Sequence, residues 1–528
     1  MFDVLIENAM IIDGTGHPGF LGDLGIIGGQ IEAVGHFPEA NAAICLDARK
    51  RYLTPGFLDI HRHGDMAVFR PGYGQAELYQ GLTSVVNGNC GLSAAPIGGP
   101  YAQDVQRYLL PVTGPIRDAA RFSDLGAYLR SVQQSPALIN NGMLVGMGTL
   151  RACVAGFRSG PLSDDEYRQL HQLLERALGD GALGVSLGLG YAPECFYTTE
   201  GLTRALAPLA ETQVPVTVHM RQEGDGVEAA LEEMLAVAGR LQLRLEISHL
   251  KAIGRRNWNR CVPRMLARLQ QARAEGVDVA CDVYPYTAGS TQLIHVLPPE
   301  FQEGGMEAMT AALGSAEVRQ RMIDRMLSGS DFENITRLVG FENVQAIGLQ
   351  VHPQLEGLTL ADIAARQQKD PFTALFDLLE EEHCTAGMID RITAQEDLDR
   401  IVRSPFSSII SDATYPESGL CHPRVYGNIA HFLEDYVVRR QVLPLESAIC
   451  KLTSYPAGRL GLEKKGVISP GMDADLCLFD LSNLHETGTW QEPAQLAQGM
   501  DWVFVHGVPA IADGVLQTVP AGRLLTGV

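Results

Sequence analysis

The sequence predicts an α/β protein built on a (β/α)8 TIM-type barrel, and three observations lead there. Eight strand-like runs, most of them separated by helical patterns, fill the middle of the chain. Both ends read differently, as short strands broken by glycine turns. Residues of metal-ligating type recur at the C-terminal ends of the predicted barrel strands, the edge where such barrels carry their chemistry.

The N-terminal runs VLIENAMIIDGTG, LGDLGIIGGQIEAVG and AICLDARKRYLTPG share their texture with the C-terminal runs GVISPGMDADLCLFDL and MDWVFVHGVPAIADG. Residues 1–54 and 464–528 are therefore assigned together to a small β-sandwich domain built from both termini. The barrel is assigned to residues 55–463, with strands at 56–61, 82–89, 139–146, 182–187, 214–219, 243–249, 277–283 and 407–412. The clearest helix is SDDEYRQLHQLLERALGD. Ser163 and Glu166 form a capping box, and Leu170, Leu173, Leu174, Ala177 and Leu178 make one apolar face. The gap between strands seven and eight is too long for one crossover. An inserted subdomain is expected there at about 296–345, where EFQEGGMEAMTAALGSAEVRQRMIDRML reads as helical.

The 528 residues are 46% hydrophobic and 20% charged, as in a soluble enzyme. A net charge of −21 disfavours nucleic acid and anionic membranes as partners and says little else. The 10 cysteines include no CxxC pair, which points to a reducing compartment rather than a disulfide scaffold. The start carries Asp3 and Glu7 and lacks a basic region, and no apolar run is long enough to span a bilayer, so a cytoplasmic location is expected.

Strand one ends in His61-Arg62-His63. Residues two apart on a strand face one side, so both imidazoles can reach one metal. Strand two ends at Cys90 in the turn GNCG, strand five at His219, strand six at His249 and strand eight at Asp412. Each is ordinary alone, but six such groups at one face point to a metal centre with Cys90 as a ligand. Two short motifs point elsewhere and fail on context. GTGHPG (Gly14–Gly19) matches a dinucleotide fingerprint but has a proline and no following helix. GVSLG (Gly184–Gly188) matches a serine-hydrolase elbow, but a loop follows it, so Ser186 is expected to pack near the barrel top.

PGFLDIHRHGD, GLTSVVNGNCGLSAAP, GALGVSLGLGYAP, HMRQEG, SHLK, DVYPYTAGST, SDATYPESGLCHPRVYG and TSYPAGRLGLEKKGVISPGMDADLCLFD span nearly the whole chain. In this order they resemble the amidohydrolase superfamily and, within it, the N-acyl-D-amino-acid deacylase (D-aminoacylase) family. The resemblance implies Zn2+ held tightly by Cys90, His219 and His249. It also implies a weaker second position at His61, His63 and Asp412, with Cys90 shared and Asp412 as the proton carrier. Lys251, Tyr191, Tyr284 and Arg424 would hold the substrate α-carboxylate. HRH departs from the family in carrying Arg62 where a small or hydroxyl residue is commoner, and Arg62 should point away from the metals. Ser290, Leu293, Ile294 and His295, after strand seven, add no Arg or Lys and lean towards a neutral or apolar D-side chain. The implied reaction is hydrolysis of the amide of an N-acyl-D-amino acid to a carboxylate and a free D-amino acid. Cyclic-amide or D-dipeptide hydrolysis, and a non-catalytic barrel scaffold, remain as alternatives.

Overall fold

The computed structural model describes residues 1–117 and 119–527. Its centre is a parallel sheet of eight strands: β1 Phe57–Asp59, β2 Leu82–Asn87, β3 Asn140–Gly146, β4 Gly184–Gly188, β5 Pro215–His219, β6 Arg244–Ile247, β7 Val279–Val283 and β8 Ser407–Ile409. Each pairs with its neighbour in chain order. The seam between β1 and β8 closes just beyond their ends: Asp412 N–H donates to His61 O at 2.9 Å, His63 N–H donates to Ala413 O at 2.9 Å, and Arg62 bridges Ala413. Strand residues are buried almost without exception, as in a parallel sheet covered on both faces.

The helix Asp164–Gly179 shows why the outer layer forms where it does. Ser163 Oγ accepts from Glu166 N–H at 3.3 Å and Glu166 Oε2 accepts from Ser163 N–H at 2.6 Å. Tyr167, Leu170, Leu174 and Ala177 are its buried face, and each buried leucine contributes about 1.5–3 kcal/mol. Leu173 and Leu178 are only half-buried.

Strands from both ends of the chain join in one nine-stranded sheet. Phe2–Ile11 runs parallel to Ala42–Asp47 and to Tyr52–Pro55, and Tyr52–Pro55 pairs antiparallel with Leu476–Phe479. A core separate from the barrel's combines Val4, Ile6 and Ile11 with Leu476, Leu478 and Phe504. The last residues return to the barrel, where Asn141 N–H donates to Arg523 O at 2.9 Å.

Between β7 and β8 lies more structure than the expected insertion at about 296–345. The helices Gly305–Leu313, Ala316–Ser328 and Ile335–Val339 fall inside that range. The segment continues through Val344–Ile347, Leu360–Gln367, Pro371–Glu381 and Gly387–Arg391. It is tied together by a three-stranded antiparallel sheet with Gly387–Arg391 in the middle, flanked by Ala288–Gln292 and Val344–Ile347. Its outer boundaries are set by pairing between residues about a hundred positions apart, which no local pattern marks.

Candidate active site

The mouth of the barrel gathers the predicted side chains. His61 and His63 follow β1, Cys90 follows β2, His219 ends β5, His249 follows β6 and Asp412 follows β8. Potential ligand atoms of His61, His63, Cys90 and Asp412 lie within 4.8 Å of one another, as do those of Cys90, His219 and His249. Cys90 belongs to both groups.

The turn that presents Cys90 is held from several sides. Cys90 has φ 54°, between Gly88 at 79° and Gly91 at 72°. A Cβ on Gly91 would fall 1.9 Å from Glu194 Oε2, and one on Gly88 2.3 Å from Leu144 O, so both glycines are sterically required. Ser186 Oγ donates to Gly88 O at 2.5 Å and accepts from Gly91 N–H at 3.0 Å. The serine of GVSLG thus braces the cysteine turn. His249 (φ 35°) and Asp412 (φ 53°) are also left-handed. Left-handed non-glycine backbone costs of order 1–3 kcal/mol each and concentrates at functional sites.

The donor atoms face one another closely. Cys90 Sγ is 3.3 Å from His61 Nε2 and 3.4 Å from His249 Nε2, and His219 Nδ1 is 3.1 Å from His249 Nε2. Asp412 Oδ1 is 3.1 Å from His63 Nε2 and 3.5 Å from His61 Nε2. Carboxylates stand behind the rings. Glu223 Oε1 is 3.0 Å from His249 Nδ1, and Asp282 Oδ2 is 3.4 Å from His61 Nδ1 while its Oδ1 accepts from His249 N–H. With its proton on Nδ1, His61 turns its Nε2 lone pair inward, and Glu223 with Lys251 Nζ, 2.7 Å from His249 Nδ1, hold the His249 ring with Nε2 facing the other donors. Lone pairs at these separations repel unless a cation lies between them, so the set fits a soft divalent metal such as Zn2+.

The electrostatics agree. Burial pushes the Cys90 thiol well up, and Asp412 and Glu223 add to this, so only a bound cation would hold it as thiolate. Burial lowers His61 to about 3 and carries His219 well below its ordinary value, leaving both neutral and able to ligate. Burial works to raise Asp412, but the Arg424 guanidinium and the His63 hydrogen bond outweigh it and hold the carboxyl well below the usual range.

A cavity opens over these groups, and Tyr191, Lys251 and Tyr284 stand in its wall. Lys251 Nζ lies 2.9 Å from both Glu223 oxygens and is 5.7 Å from the Tyr284 ring centroid. Tyr191 Oη is 2.9 Å from Thr291 Oγ1. Arg424 differs: it is fully buried behind Asp412, with Nη1 3.0 Å from Asp412 Oδ2, Nη2 donating to Ser290 O at 3.1 Å, and Cζ 4.6 Å from the Tyr284 ring centroid. The Nη1 contact is not aligned as a hydrogen bond, so Nε and Nη1 are left without acceptors. Arg62 turns away from the metal groups into a buried network with Glu77 at 2.8 Å, Tyr415 and Asp59. Ser290 and His295 are also in the cavity wall, whereas Leu293 and Ile294 are buried outside it.

Sequence reasoning missed Glu223, Asp282 and Asp390. Asp282 could have been found by alternation, since it stands two residues before Tyr284 on β7. Glu223 lies four residues past His219 in a loop without periodicity, and Asp390 comes from the inserted sheet.

The sequence profile described as "Amidohydrolase family" matches residues 45–524. The chain is 34% identical to an N-acyl-D-glutamate deacylase of Alcaligenes xylosoxydans xylosoxydans over 99% of this chain and 96% of that one. It is 32% identical to a D-aminoacylase of the same organism, over 99% and 97%. Among solved structures, the N-acyl-D-glutamate deacylase of Bordetella bronchiseptica superposes with a TM-score of 0.84 at 30% identity, covering 99% of each chain. That protein was crystallised with zinc and a phosphonate inhibitor mimicking the tetrahedral intermediate of its reaction.

Proposed function

The chain belongs to the amidohydrolase family, and from that premise we propose that it is a zinc-dependent N-acyl-D-amino-acid deacylase. The observation that carries the reading is the pair of donor groups sharing Cys90, set beside Lys251 in the cavity wall and with Arg424 behind Asp412. Cys90, His219 and His249 are the tight zinc ligands; His61, His63 and Asp412 complete a second, weaker position. When bound, zinc supplies a Lewis acid that polarises the amide carbonyl and acidifies a water.

The chain's own groups do the rest. Asp412, ionised and held between His63 and Arg424, takes the proton of the attacking water and returns it to the leaving amine. Lys251, Tyr284 and Tyr191 in the cavity wall, with Arg424 behind Asp412 and against the Tyr284 ring, hold the substrate α-carboxylate. Leu92, Val112, Ile253 and Met388 add apolar wall beside these groups, which strengthens the contacts they flank. Cyclic amides lack the free α-carboxylate that these groups would hold.

The test pairs metal content with chirality. Zinc per chain is quantified, and N-acetyl-D-methionine is assayed against its L-enantiomer. Bound zinc with D-selective release of methionine is expected. Bound zinc without turnover of either enantiomer would sink the substrate class and turn attention to cyclic amides and dipeptides.

A further inference from the structure

The inserted sheet reaches the cavity along one face of its middle strand. Met388 and Asp390 stand two apart on Gly387–Arg391, Ile392 continues the alternation, and all three line the cavity. Asp390 is 3% exposed. Among the described residues, no other side chain donates to its carboxylate or forms an ion pair with it. Lys251 and Arg424 act on it only from a distance; Lys251 is hydrogen-bonded to Glu223, and Arg424 lies against Asp412 with Nη2 donating to Ser290 O. Gly289 is its partner in the sheet register. A Cβ on Gly289 would lie 3.1 Å from Asp390 Oδ1, 3.1 Å from Tyr284 Oη and 2.8 Å from Ile392 Cδ1. The glycine therefore leaves a niche between carboxylate and phenol in the cavity wall. A buried carboxylate without a partner is costly unless a counter-charge arrives with a ligand. Burial pushes the Asp390 carboxyl up to about 6, which leaves it mostly ionised at neutral pH.

We propose that Asp390 determines side-chain specificity, and that the preferred substrates are N-acyl-D-amino acids with a cationic, lysine- or arginine-like side chain. The proposal rests on the deacylase reading above. The side-chain methylenes would run along Met388 and Ile392, and the terminal nitrogen would donate to Asp390. A carboxylate side chain would meet Asp390 with like charge, so the glutamate derivative named for two of the relatives is a poor substrate here.

The test measures kcat/KM of the zinc-loaded protein on N-acetyl-D-lysine, N-acetyl-D-methionine and N-acetyl-D-glutamate, for wild type and Asp390→Asn. The wild type should favour lysine over glutamate by about 100-fold, and the variant should reduce that ratio by at least about tenfold. A ratio taken on one preparation cancels any misfolded fraction, and the wild-type ratio stands if the variant does not fold. A wild type that does not favour lysine, or a ratio the variant leaves unchanged, overturns the role of Asp390, while methionine turnover preserves the deacylase reading. Zinc-loaded wild type that turns over none of the three overturns both.

Discussion

Glu223→Gln separates two jobs held by one buried carboxylate. Both Glu223 oxygens accept from Lys251 Nζ at 2.9 Å, and Oε1 lies 3.0 Å from His249 Nδ1, which is also 2.7 Å from Lys251 Nζ. Burial opposes ionisation of Glu223, but Lys251 and the two imidazoles outweigh it and keep the group a carboxylate. Glutamine keeps the shape and removes the charge and one acceptor. Lys251 is then a buried ammonium without a counter-charge, a loss of about 3–5 kcal/mol of stability. His249 loses the group that orients its ring, which weakens zinc binding about 10–100-fold, or about 1.4–2.7 kcal/mol. Chelator competition reads the zinc affinity, and urea unfolding in zinc-free buffer reads the stability. Adding Lys251→Met should restore much of the stability, because the unpaired ammonium is gone, yet leave zinc binding weak. Zinc held by Glu223→Gln as tightly as by wild type would refute the orienting role. Unchanged zinc-free stability would refute the buried-pair argument.

Asp412→Asn should lower kcat/KM by about 10²–10⁴ while the zinc at Cys90, His219 and His249 remains, as metal analysis of the purified variant would report. Arg62→Met should cost about 3–5 kcal/mol in urea unfolding, because it leaves Glu77 and Asp59 buried without their cation at the seam between β1 and β8. A second effect expected there is weaker occupancy of the His61–His63–Asp412 position. Chelation should lower Tm and abolish activity, and added zinc should restore both, since zinc binds only the folded donor set. Burial works to raise Glu166, but Arg158 and Ser163 outweigh it and push the group down to about 2 from an ordinary 4.5. A lowered carboxyl stabilises above its unfolded pKa and loses that contribution as pH falls. Glu166→Gln, at a half-exposed helix cap, should therefore cost about 1 kcal/mol near neutral pH. The difference from wild type should shrink between about pH 4.5 and pH 2.

The sequence by itself determined the barrel strands and the residues at their ends. A parallel strand buried on both faces is written locally, as a short apolar run ending in turn residues, so β1 to β8 were legible one at a time. The period of two put His61 and His63 on one side and Arg62 on the other, and the glycines around Cys90 marked a turn that only a required geometry explains. Tertiary structure decided whatever depends on chain crossings. The carboxylate behind His249 comes from the loop after β5, Arg424 reaches Asp412 from the start of a helix, and Ser186 on β4 braces a turn after β2. Asp390 enters the cavity only because two strands about a hundred residues apart pair in register. Ligand identity is a property of a strand end and survives in local pattern. The charge environment of those ligands is a sum over distant segments, and only the folded chain brings its terms together.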